Sequence, residues 1–159
     1  MPNTVLLGGS PNVPQERTGS ESITPGMLVE IVPSGGQAGQ LRKHATAQGN
    51  AAAWFAREAL TPDRTAGGGL ANPIDVTYQI GETVRWFQCR PGDEVYAIVP
   101  ANAPAIVAGD DLVSNGDGTL KKSVTGSITT NVACIIAKAA EAVNNSAGTA
   151  TVRIRVYAL

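Results

Sequence analysis

The chain has 159 residues, a length that suits one domain with an additional extended segment. Hydrophobic residues make up 43% and charged residues only 16%, below the roughly 25% usual for soluble domains, while aromatics are 4%. A net charge of −1 without any Lys/Arg run argues against a nucleic-acid binder, and no apolar stretch approaches the roughly 18 residues that suggest a membrane-spanning helix.

Residues 1–24 read as an extended arm rich in Pro, Gly, Ser and Asn, with one apolar patch, Val5-Leu6-Leu7. Such a segment is either a free terminus or a tether that orders against a neighbour through the patch. It lacks the basic-then-apolar pattern of a secretory signal. Thr24-Pro25-Gly26 is a turn signal that opens a strand over 27–32, closed by Pro33-Ser34-Gly35-Gly36. A second strand is expected over 40–46. Residues 51–60 (AAAWFAREAL) carry conflicting signals. Their Ala, Arg, Glu and Leu favour a helix, yet the run is short and uncapped, and the strand reading is preferred. As a strand it places Ala52, Trp54 and Ala56 on one face and Ala53, Phe55 and Arg57 on the other. A long loop over 61–75 follows, with Gly67-Gly68-Gly69 in its middle.

A short pattern then recurs: glycine, an acidic residue, any residue, an aliphatic. It appears as Gly81-Glu82-Thr83-Val84, Gly92-Asp93-Glu94-Val95 and Gly109-Asp110-Asp111-Leu112, at spacings of 11 and 17 residues. Glycine admits positive φ at a tight corner, and the carboxylate bonds nearby backbone amides. The corners launch strands over 84–89, 94–99 and 111–114, and Asn115-Gly116 marks a hairpin into a strand over 119–122. Residues 132–143 are again ambiguous between helix and strand. In the last run, 151–157, Val152, Ile154 and Val156 face one way and Arg153, Arg155 and Tyr157 the other. Arg153 and Arg155 are either solvated or meet acidic groups on a partner.

Chemistry is sparse. His44 is the only histidine, and Cys89 and Cys134 lack CxxC spacing, so no metal site is expected and the cysteines read as buried, reduced and inert. The hairpin 115–118 lacks the acidic positions of a calcium loop, since Val113 and Val124 stand where they are needed. Neither Gly8-Gly9-Ser10 nor Gly67-Gly68-Gly69 carries the ending of a phosphate loop. The acidic residues at the glycine corners are accounted for by turn formation. No catalytic residue and no cofactor is expected.

From Pro25 to Tyr157 the chain resembles the structural cement, or head decoration, proteins of tailed bacteriophages. The resemblance is carried by Thr24-Pro25-Gly26, by Lys43-His44-Ala45-Thr46 ahead of Trp54-Phe55-Ala56-Arg57-Glu58, and by Tyr78-Gln79-Ile80-Gly81-Glu82-Thr83-Val84. It continues through Arg90-Pro91-Gly92-Asp93-Glu94-Val95, Val107-Ala108-Gly109-Asp110-Asp111-Leu112, Gly116-Asp117-Gly118-Thr119-Leu120 and Ala140-Glu141-Ala142-Val143-Asn144-Asn145. It implies an all-β domain, a small β-barrel or β-sandwich-like unit of β-tulip type over 25–159, behind the arm at 1–24. It also implies strands at both ambiguous segments, 51–58 and 132–142. The implied role is that of a non-enzymatic virion protein on the outer surface of the capsid head. Such a protein bridges adjacent major capsid proteins, in this family often as a homotrimer, and needs neither nucleic acid nor membrane. Contacts with the capsid or a neighbouring copy are expected at Val5, Leu6 and Leu7, at Gly67, Gly68 and Gly69, and at Arg153 and Arg155. The competing expectation is a carbohydrate-binding β-sandwich displayed on a virion or cell surface, with Trp54, Trp86 and Tyr96 as its stacking platform.

Overall fold

The computed structural model describes residues 4–9, 13–59, 72–123 and 134–159. Among them lie thirteen strands and no α-helix: β1 (Leu6–Gly8), β2 (Gln15–Thr18), β3 (Val29–Ile31), β4 (Leu41–Lys43), β5 (Trp54–Ala56), β6 (Thr83–Gln88), β7 (Glu94–Val99), β8 (Ala103–Ile106), β9 (Asp111–Ser114), β10 (Leu120–Lys122), β11 (Ile135–Ala139), β12 (Val143–Asn145) and β13 (Val152–Ala158). The fold is all-β and sandwich-like. The largest sheet has six strands in the order β1-β7-β13-β11-β9-β10, antiparallel throughout. A three-stranded sheet, β2-β6-β5, and two small ones, β3-β4 and β12-β8, complete the layers, and no closed barrel forms among the described residues.

The recurring corner motif builds the same turn three times. In 79–82, 90–93 and 107–110 the glycine at the third position has φ of 85°, 92° and 90°, the left-handed value that a type II turn requires there. The amide of the acidic residue bonds the carbonyl three residues before it, at 3.1, 3.0 and 3.1 Å. Its carboxylate in turn accepts the amide of that same first residue, at 2.6, 2.8 and 2.8 Å. Donor and acceptor at each corner are thus satisfied reciprocally, before the chain enters β6, β7 or β9.

Two hydrophobic clusters fill the interior, and one wall divides them. In β5, Phe55 enters the larger cluster, while Ala56, with Trp54 packed alongside, belongs to the smaller. In β6, Val84 and Trp86 enter the smaller cluster while Phe87 enters the larger, followed by Cys89. Strands covered on both faces read as continuous apolar runs instead of alternating ones. That accounts for the helix-like composition of 51–60 coexisting with an extended chain: tertiary burial overrides local propensity. The strand expected there is present over 54–56. The other ambiguous segment is also extended, as β11, where a register shift between Ile135 and Ala137 lets consecutive Ile136 and Ala137 both face inward. The hairpin at 115–118 joins β9 to β10 as expected. β13 alternates as read, with Ile154 and Val156 fully buried and Arg155 and Tyr157 exposed.

Gly26 in the opening turn has a stricter role than the corner glycines. Its φ is 90°, and a Cβ there would stand 2.7 Å from both the Tyr96 carbonyl oxygen and Arg153 Nη1. A Cβ on Gly92 would meet nothing within 4 Å. Gly92→Ala is therefore expected to cost only the conformational penalty of about 1–2 kcal/mol. Gly26→Ala, which adds a clash with backbone, is expected to cost clearly more. Urea unfolding followed by tryptophan fluorescence measures both.

Candidate interaction surface

Any chemistry in this fold would have to be built from its polar groups, several of which are buried. His44 is 2% exposed and Ser114 is fully buried. His44 Nδ1 lies 2.7 Å from Ser114 Oγ, and its Nε2 lies 3.3 Å from the Asn50 carbonyl and 3.7 Å from a Glu30 carboxylate oxygen. Ser114 Oγ also accepts the Gly116 amide at 3.1 Å. The network joins the end of β4, the hairpin after β9 and the 46–50 turn, and its serine is shut away from solvent. Neither cysteine is bridged: Cys89 is buried as read, whereas Cys134 is half-buried. Burial, reinforced by the nearby Asp93 carboxylate, pushes the Cys89 thiol far above its ordinary range, so it stays protonated. No group of three or more His, Cys, Asp or Glu among the described residues could hold a metal ion.

The outward face of the six-stranded sheet is a mosaic of ions and aromatic rings. Register places Tyr157 beside Glu94 on β7 and beside Lys138 on β11, and Lys138 beside Asp111 on β9. One row thus reads Glu94, Tyr157, Lys138, Asp111 across four strands, with Lys138 Nζ 2.5 Å from Asp111 Oδ1. In the next row Arg155 sits beside Tyr96. Its Nε meets Glu141 at 2.9 Å and its Nη1 reaches Glu94 at 3.9 Å. The hydrogen bond and charge of Glu141 raise the Arg155 pKa above its ordinary value. Tyr157 is 46% exposed and heads this face.

The structure separates the two arginines that sequence placed together. Arg155 is a surface residue. Arg153, two residues away on the same face, is a staple, its side chain only 11% exposed. It donates to the Pro25 carbonyl at 2.6 Å and to the Ile74 carbonyl, stands 3.5 Å from Asp75, and lies over the Tyr96 ring at 5.9 Å from the centroid. Burial lowers its pKa, opposed by Asp75.

The other expected contact residues also separate. Val5 is fully buried in the larger cluster, Leu6 packs half-buried against that cluster, and Leu7 is half-buried. In this conformation Val5 is therefore a core residue of its own chain and is not presented to a neighbour. The described parts of 1–24 are extended, and they join the sheets as β1 and β2, with Ile23 fully buried. Gly67, Gly68 and Gly69 lie outside the described residues, although the end of that loop includes Ile74, a core side chain. Trp54 and Trp86 contact at 4.7 Å between centroids, but Trp86 is 2% exposed and Tyr96 is half-buried beside Arg153. The aromatic rings proposed as a sugar platform are therefore mainly packing groups. Sequence reading passed over Glu58, whose carboxylate accepts the Val5 amide at 3.1 Å and Arg57 Nη2 at 2.9 Å. Its one sequence signal was an Arg-Glu pair within an otherwise apolar run.

No protein-family model matches the chain, and no curated protein matches it. Among solved structures it is similar to the N base of head fiber gp8.5 from bacteriophage phi29, at 10% identity and a TM-score of 0.49, covering 93% of this chain and 94% of that one. A likeness of that size leaves function to be read from the chain's own residues.

Arg153→Ala should lower unfolding stability by about 2 kcal/mol, because two buried carbonyls lose a charged donor. Arg155→Ala should leave the denaturant midpoint in place. Burial alone would raise the Glu58 carboxyl, but the Val5 amide and Arg57 hold it below the usual carboxylate range. Its contribution is thus full above the unfolded-state value of about 4.3 and lost as pH falls through the lower folded value. In acid titrations of stability, Glu58→Gln should be less stable near neutrality and show a shallower loss below about pH 4.

Proposed function

We propose that this protein is a non-catalytic virion subunit that sits on the outside of an icosahedral phage head and cements it. In this reading it binds as a homotrimer, bridges adjacent major capsid proteins, and uses no cofactor. The observation that carries the reading is the extended state of Trp54–Ala56 and Ile135–Ala139. Composition left both segments open to a helix, and the resemblance to cement proteins required strands at both. The all-β architecture and the polar groups spent inside the fold support the same reading. The Glu94, Tyr157, Lys138, Asp111 row supplies a face for contact whose cation is already paired with a carboxylate. Weak contacts repeated over three copies add through effective concentration, so no single site needs to be strong.

The test is occupancy on purified heads, with a cryo-EM map of the parent particle giving position and symmetry. Tyr157→Thr, which keeps a β-favouring residue and adds no charge opposite Glu94, should shift the unfolding midpoint little and lower head occupancy by about tenfold, the loss expected when an aromatic contact is removed. A map that places the subunit inside the shell, or in the tail, would refute the reading.

A further inference from the structure

We propose that the edge of β7 covered by β1 is a strand-accepting seat, and that residues 4–9 of a second copy of this chain occupy it by exchange with the chain's own β1. The inference goes beyond the capsid reading and does not depend on it.

The seat is built by elements other than β1. The Tyr96 amide on β7 donates to the Val5 carbonyl at 2.7 Å, and the Glu58 carboxylate, beyond the end of β5, accepts the Val5 amide at 3.1 Å. A slot in the larger cluster takes the Val5 side chain. Gly8 lies opposite Glu94, and Gly9 crosses Asp93 so closely that a Cβ there would stand 2.0 Å from Asp93 Oδ1. The seat therefore selects a strand with a small branched apolar residue followed, four places on, by glycine, whereas position 8 has room for a side chain. Residues 4–9 of any copy fit that description.

The cis occupant is thinly held. β1 has three residues, its pairing with β7 slips in register between Leu6 and Gly8, and Leu6, Leu7 and Gly8 are all only half-buried. Val5 is its single fully buried side chain. Farther on, just before β2, Val13 stands 84% exposed, so the intramolecular arrangement leaves a large apolar group bare. Leaving the seat uncovers one slot and one strand edge. Refilling it from a second copy restores every contact, because the incoming segment is identical, and an unfilled edge is the feature most prone to recapture a strand.

The experiment mixes two variants that each carry one reactive cysteine, Gly8→Cys and Glu94→Cys, both in a Cys134→Ser background with the buried Cys89 left in place. A Cβ on residue 8 would lie 3.8 Å from Glu94 Cβ, the separation a disulfide needs. After mild oxidation of an equimolar mixture, exchange gives a covalent heterodimer in clear excess over twice either homodimer, the ratio that random collision produces, on a non-reducing gel, rising with protein concentration and incubation time. A heterodimer yield at or below that twofold ratio overturns the proposal. If either variant fails to fold, the unmodified full-length chain decides, using a fluorescent peptide of residues 4–9. Saturable binding that the same peptide with Val5→Asp lacks supports exchange, and equal or absent binding of the two peptides overturns it.

Discussion

The fold depends on a shared wall. β5 and β6 are buried on both sides, sending Phe55 and Phe87 into one cluster and Ala56, Val84 and Trp86 into the other. A chain with few aromatic residues concentrates four of them, Trp54, Phe55, Trp86 and Phe87, on two paired strands. Phe55 and Phe87 are direct register partners, as are Ala56 and Trp86, so the bulky groups on each face stack across the ladder. Removing any one of them opens a cavity in its cluster. The segment at 27–29 follows the same division, with Leu28 in the larger cluster and Val29 in the smaller.

A divided interior restricts where polar groups can go. Strands covered on both faces leave few solvent-facing positions, which fits a charged fraction of only 16%. Much of the charge that remains is directed at backbone. The acidic residues of the three corner turns close their own turns, Arg153 closes two carbonyls from separate loops, and Glu58 closes the Val5 amide. Buried Asn145 does the same between Pro100 and Ala150, donating at 2.8 and 2.9 Å. Turns and loops inside a low-charge protein still need their amides and carbonyls paired, and side chains supply what the ladders do not.

The sequence was most legible where one local rule sufficed. The Gly-acid corners, the Asn-Gly hairpin and the alternation of β13 each follow from a few adjacent residues, and all three are present. The strand at 54–56 was harder, because its composition reflects burial from both sides, which only distant residues create. β8 was missed: Pro104 and flanking alanines give no strand signal, and its place in a two-stranded sheet tolerates a proline. The role of Val5-Leu6-Leu7 was legible as apolar anchoring, but not its address. The core slot that takes Val5 is formed by residues far along the chain. Arg153 and Arg155 could not be told apart for the same reason. Their difference lies in Pro25 and Ile74, segments that β13 meets only in the folded chain.

That difference also shapes the exposed face. With Arg153 drawn down onto the opening turn, the outward surface keeps Arg155 and Lys138 among Glu94, Asp111 and Glu141, each cation already facing a carboxylate. Opposite charges interleaved at that spacing leave a net of only one negative charge, screened within a Debye length of roughly 8–10 Å, so the face projects a weak field toward a distant partner. It cannot attract by long-range steering as a charged patch does. What it presents at contact is Tyr157, a ring with an apolar body and a polar tip, framed by ions whose geometry is already fixed. A surface of this kind binds through shape and short-range contact, and on the proposed reading it would meet neighbouring subunits in that way.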